Sequence, residues 1–173
     1  MSRHYSAALP IAYVVLRLLI ILNWLYAAAI LVLLLLMPHE QWITTALDLS
    51  PGPGTERIIL GLQTAAILTL AAVPLNHGIL TRLLAMCDTV RGGDPFVRQN
   101  AGRLQTMAWL LLAIQLLAVL IGAISKVIST PDTPLLPGSG FSVAGWVAVL
   151  VTFVLARVFA EGSLIRDELR EMV

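Results

Sequence analysis

Apolar residues run almost unbroken through four stretches of this chain, and the polar residues gather between them. Residues 14–37, 58–80, 107–128 and 141–159 each read as one helix, apolar on every side. Such runs suit segments that meet lipid on one face and protein on another. Their lengths of roughly 19–24 residues match a hydrocarbon core about 30 Å thick. The first run is leucine-rich over residues 30–37, is interrupted only by Arg17 and Asn23, and ends at Pro38. The second does not stop at Leu80. Leu83, Leu84, Cys87 and Val90 continue at three- and four-residue steps while Arg82 and Asp88 take the other side. That periodicity predicts an amphipathic extension ending at Arg91. Pro74, inside this helix, is expected to kink it.

Between the second and third runs lies TVRGGDPFVRQNAGR, residues 89–103. Gly92 and Gly93 suit a left-handed helix stop. Asp94 is then the expected N-cap and Pro95 the first helical residue. Phe96 is expected to pack back on the second helix near Leu83 and Cys87. Gly92, Gly93, Asp94, Pro95, Phe96, Asn100 and Arg103 together make a predicted structural elbow. The other breaks are residues 38–57, where Pro51, Gly52, Pro53 and Gly54 interrupt regular structure, and residues 129–140, rich in proline and glycine. In the first of these, Trp42 is a candidate for the membrane interface. After the fourth run the helix continues as the charged segment EGSLIRDELREMV.

Composition agrees with the pattern. The chain of 173 residues is 58% hydrophobic and only 12% charged, far from the balance of a soluble domain. The expectation is an all-α, integral membrane four-helix bundle, one domain over residues 1–173. The first apolar run is too long for a signal-peptide core and is expected to be retained. Of the 11 Lys and Arg residues, only Arg57 and Lys126 fall on one side of this layout. The positive-inside rule then places both termini in the cytoplasm, with helices 2 and 3 extended into it as a hairpin.

The segments GGDPF with NAGRL (92–96, 100–104) and LARVFAEGSLIRDELREMV (155–173) resemble the bacterial membrane proteins grouped as domain of unknown function 2975. In that family a G-x-PF…N…RL segment precedes the third span, and the last span runs into a VF…G…L…D/E tail. The ending Glu171-Met172-Val173 departs from the family's usual acidic, small, β-branched finish. The resemblance implies an uncharacterised multi-pass protein of the bacterial inner membrane. It also implies a helix-turn-helix regulator as a cytoplasmic partner.

Candidate chemistry is sparse. Net charge of +1 argues against direct nucleic-acid binding. The lone Cys87 offers no internal disulfide, and neither a metal-ligand spacing nor a phosphate-binding glycine loop occurs, so no enzyme, cofactor or metal is expected. Arg157 and Glu161, one turn apart, are expected to pair, and Arg17 to snorkel. Asn23, Gln63 and Gln115 read as hydrogen-bonding glue between helices, with a polar cavity as the alternative. His77 reads as an ordinary interfacial histidine. Arg91, Arg98, Arg157, Glu161, Asp167 and Glu168 are the candidate contacts to lipid or partner, with Asp167, Glu168 and Glu171 expected to face Arg91, Arg98 or Arg103. Ala27, Ala28 and Ala29 would permit a homo-oligomer. A regulatory or interaction protein fits these features best. The alternative is an oligomeric small transporter or pore subunit, although every acidic residue falls in a loop, an interface or the tail.

Overall fold

A computed structural model describes residues 8–36, 45, 53–93, 96–129 and 140–171. Among the described residues it contains four long helices: α1 (Ala8–Leu36), α2 (Pro53–Arg91), α3 (Arg98–Ile128) and α4 (Val143–Glu171). All four are long and apolar enough to cross a membrane. Large apolar side chains stand exposed along every one of them, among them Val14, Leu60, Val127 and Leu150. Water would not tolerate so much contiguous apolar surface. The chain is a multi-pass membrane protein.

Several boundaries differ from the sequence reading. The first helix opens at Ala8, with Pro10 in its first turn, where a missing N–H costs nothing. Pro53 and Gly54 belong to α2 and not to the preceding loop, since proline at the first helical position is pre-set for helix. Residues 53–91 form one unbroken helix through Pro74. Ser142 opens α4: its Oγ accepts from the Gly145 N–H at 3.2 Å and its carbonyl from the Trp146 N–H at 3.1 Å.

Packing follows chain order. The helix pairs in substantial contact are α1 with α2, α2 with α3, and α3 with α4. The array is therefore open, and α1 and α4 turn most of their apolar surface outward. At one end Ile59 packs with Leu33 and Leu34, and Ile58 with Ile128. There α2 and α3 approach so closely that a Cβ on Gly61 would run into the Ile128 side chain. Glycine at such a crossing permits the van der Waals contact that substitutes for a hydrophobic driving force in lipid.

Polar side chains inside the helices mostly look after themselves. Thr64, Thr69, Thr81, Thr106 and Thr152 each donate to the carbonyl one turn back. Asn23 instead bonds across helices, Nδ2 donating to the Val73 carbonyl at 3.2 Å. Gln63 makes no such bond with a described residue. Gln115 lies against Gly145 with its Oε1 buried and unpartnered, as are Trp146 Nε1 and His77 Nδ1. His77 is not simply solvated: its ring stands edge-on to Trp24, centroids 5.5 Å apart.

Gly61→Val is expected to force α2 away from α3 and to cost about 1–3 kcal/mol, the usual penalty of overpacking. Thermal melting in detergent checks this. Gly102→Ala, where a Cβ meets nothing within 4 Å, should leave Tm unchanged or slightly raised.

Candidate functional site

The start of α1, the end of α2, the start of α3 and the end of α4 meet at one end of the array. The α2 helix stops as its two glycines require. Gly92 N–H reaches the Asp88 carbonyl and Gly93 N–H the Val90 carbonyl, each at 3.0 Å, and Gly93 takes φ +83°. A side chain is strained in that region.

The third helix begins later than the sequence suggested. It opens at Arg98 with Val97 as its cap residue, in extended conformation and without a side-chain cap bond. Asp94 and Pro95 lie outside the described residues, but a helix that starts at Arg98 makes neither its N-cap nor its first residue. The first-turn backbone is tied by other means, including the Asn100 N–H, which donates to the Val97 carbonyl at 2.8 Å.

Asn100 is the centre of this end. It is completely buried, the largest side chain among the described residues to be so. Its Nδ2 donates to Thr89 Oγ1 at 2.8 Å, and its Oδ1 accepts from Arg103 Nη1 at 2.8 Å. Thr89 Oγ1 in turn donates to the Met86 carbonyl at 2.7 Å, and Arg103 Nη1 also reaches the Ala85 carbonyl at 3.2 Å. One amide thus ties the first turn of α3 to the last two turns of α2. The arginine also sets a positive charge against the negative end of the α2 dipole.

Phe96 turns to α4. Its ring lies 5.2 Å from that of Phe159 and against Gly162, where a Cβ would come within 3.3 Å of it. The expected anchor near Leu83 and Cys87 is therefore found on the fourth helix. Arg166 Nη1 adds a long hydrogen bond to the Phe96 carbonyl at 3.4 Å. The expected facing of Asp167 and Glu168 toward Arg91, Arg98 or Arg103 does not occur as ion pairs among the described residues, and the Glu171 side chain lies outside them. The physical reason is competition: Arg103 is held by Asn100 and Ala85, and Arg91 lies over the Tyr13 ring at 5.4 Å. Arg17 covers the same ring at 5.2 Å and donates to the Tyr13 hydroxyl at 2.8 Å. It reaches back toward this end, as a snorkelling side chain does. Arg157 and Glu161 pair at 2.9 Å on the exposed face of α4.

Between α3 and α4 at this end lies a cleft of about 470 Å³, bordered by Arg98, Gln105, Arg157 and Ser163. The arginine cluster and the elbow were approached from sequence through charge and glycine spacing. Thr89 and Tyr13 were not, because a threonine and a tyrosine carry no signal until a partner is placed beside them. Arg3, Trp42 and residues 130–139 lie outside the described residues, as do the side chains of Leu169, Arg170 and Glu171.

A family model described as "Protein of unknown function (DUF2975)" matches residues 60–173, from inside α2 to the end of α4. The chain belongs to the DUF2975 family. Every residue of the Asn100 network lies within the matched segment. No curated protein and no solved structure matched the chain.

Replacing Asn100 with Ala leaves Thr89 and Arg103 without their buried partner. The expected loss is about 1–3 kcal/mol of stability, measured by thermal or SDS unfolding in mixed micelles. Asn23→Ala, which removes one bond to a backbone carbonyl, should cost less, nearer the ~0.6 kcal/mol average of interhelical hydrogen bonds in membranes.

Proposed function

We propose that this membrane protein serves as an interaction or regulatory protein of the bacterial inner membrane. Its arginine-rich end faces the cytoplasm and is presented there to a protein partner. The observation that carries this reading is the convergence of Arg17, Arg82, Arg91, Arg98, Arg103, Arg157 and Arg166 toward one end of the helix array. Arg57 and Lys126 stand toward the other. Translocation disfavours arginine, so the rich end stays inside.

Length supports a projecting elbow. At 1.5 Å per residue, 39 helical residues span roughly 58 Å, well beyond a core of about 30 Å. The end of α2 and the polar first turns of α3 are the parts placed outside the hydrocarbon. The described acidic residues Glu56, Asp88, Glu161, Asp167 and Glu168 all lie toward helix ends. That distribution favours a surface for binding over a proton-coupled carrier, which needs an acid in the span. By family habit the first partner to test is a helix-turn-helix regulator, and the surface offered to it comprises Arg91, Arg98 and the α4 segment around Asp167 and Glu168. No covalent chemistry is assigned to the protein.

Single cysteines at positions 94 and 48 in a Cys87→Ser background decide the orientation. Position 94 is expected to resist an impermeant maleimide in intact cells and to react after permeabilisation, with position 48 the reverse. Co-purification with a co-expressed regulator should fall with Arg91→Glu and Arg98→Glu and survive Arg57→Glu at the opposite end. Equal loss in all three would remove the assignment of the surface.

A further inference from the structure

We propose that the cleft between α3 and α4 is a binding site for one anionic phospholipid, its phosphate held by Arg98 and Arg157. The inference stands apart from which side of the membrane the elbow faces.

Three observations lead there. The first is charge. Arg98 makes no hydrogen bond or ion pair with a described residue and borders the cleft directly. Arg157 borders it from α4, and its partner among the described residues, Glu161, is not among the residues lining it. Two guanidinium groups against one carboxylate leave an excess of a single positive charge, matched by one phosphodiester. Arg98 is also the first residue of α3, whose first turn holds no acidic side chain and no side-chain cap. The positive end of that helix dipole therefore adds to the same sign.

The second is shape. The α3 wall is Ala101 and Gly102, and the α4 wall is Ala156, Ala160 and Ser163, so the cleft stays open to about 470 Å³ because small residues line it. A Cβ on Gly102 would meet nothing within 4 Å. Ser163 already donates its hydroxyl to the Ala160 carbonyl at 2.8 Å, which leaves its oxygen lone pairs as acceptors and the arginines and Gln105 as donors toward an anion.

The third is position. Along the cleft the lining changes from Arg98, Arg157 and Gln105 to Phe153, whose ring stands edge-on to Trp109 at 5.3 Å. From Met107 to Ile114 the α3 side of the path is apolar. A ligand seated here has a charged end at the arginines and an apolar path beyond them, where aromatic rings favour the membrane interface. That polarity fits a lipid with its headgroup on the arginines and an acyl chain descending past Phe153. A soluble phosphate would use the first part and waste the second. Basic pockets between membrane helices are known to hold lipid headgroups.

The test is native mass spectrometry of the detergent-purified full chain with phosphatidylglycerol, phosphatidylethanolamine or phosphatidylcholine, paired with thermal melting. Phosphatidylglycerol is expected to leave a one-to-one adduct and to raise Tm, with the zwitterionic lipids several-fold weaker. Arg98→Gln and Arg157→Gln should each reduce the adduct about fivefold, the weight of one arginine facing an anionic headgroup. Gly102→Leu, which keeps every charge but fills the cleft, should reduce it as much while the protein stays folded. It also serves if Arg157→Gln proves unstable. Equal adducts with all three lipids overturn the proposal. So does an adduct that survives Arg98→Gln and Gly102→Leu, or protection by free glycerol phosphate equal to that by the lipid.

Discussion

The arrangement of this protein depends on one buried amide. Asn100 has no exposed surface, and two of its side-chain bonds go to groups that need it, the Thr89 hydroxyl and the Arg103 guanidinium. An amide buried without partners would be costly, and one buried with them fixes geometry. Asn100 sets the angle between α2 and α3 by joining the last turns of one helix to the first turn of the next. Arg103 extends the tie to the Ala85 carbonyl. Once the hairpin is fixed, α4 is aligned by Phe96 on Phe159 and Gly162, and the start of α1 by Tyr13 beneath Arg91. Elsewhere Asn23 bonds to the Val73 carbonyl and α2 meets α3 closely at Gly61, and much of the rest is apolar surface.

This division of labour follows from the solvent. In water, helices associate because apolar surface leaves the solvent; in lipid that force is absent, and close packing or hydrogen bonds must replace it. The two ends of the array use the two solutions separately. Near Gly61 and Ile128 the helices meet by steric fit, whereas at the elbow they meet through Asn100, Thr89 and Arg103. Packing in chain order, with α1 and α4 left largely uncovered, is what a protein can adopt when bilayer covers its flanks.

The four helices were legible because lipid demands unbroken apolar length, and no alternative reading of such runs survives. The continuation of α2 to Arg91 was legible for a related reason, since Leu83, Leu84, Cys87 and Val90 keep helical spacing after the surrounding residues turn polar. Boundaries were harder. Pro53 looks like a loop residue until a helix is seen to begin on it, and Asp94-Pro95 looks like a helix start that in fact falls at Arg98. A cap signal describes local preference, while the first turn of α3 is set by what Asn100 must reach. Phe96 shows the same limit: the sequence says that an aromatic ring follows the turn, but only the position of α4 says which neighbour receives it. The arginines could be counted from sequence. Their sorting into one bound by Asn100, two shared over Tyr13 and two bordering a cleft could not.

A double-mutant cycle on Thr89 and Asn100 tests the tie most directly. Thr89→Val, Asn100→Leu and the double variant would be compared by reversible unfolding in mixed micelles. If the amide and hydroxyl join α2 to α3 as described, the two losses are non-additive by about 0.5 kcal/mol or more, within the range for contacting pairs. Losses that simply add would mean that the two side chains act independently, and that the elbow is held by something else.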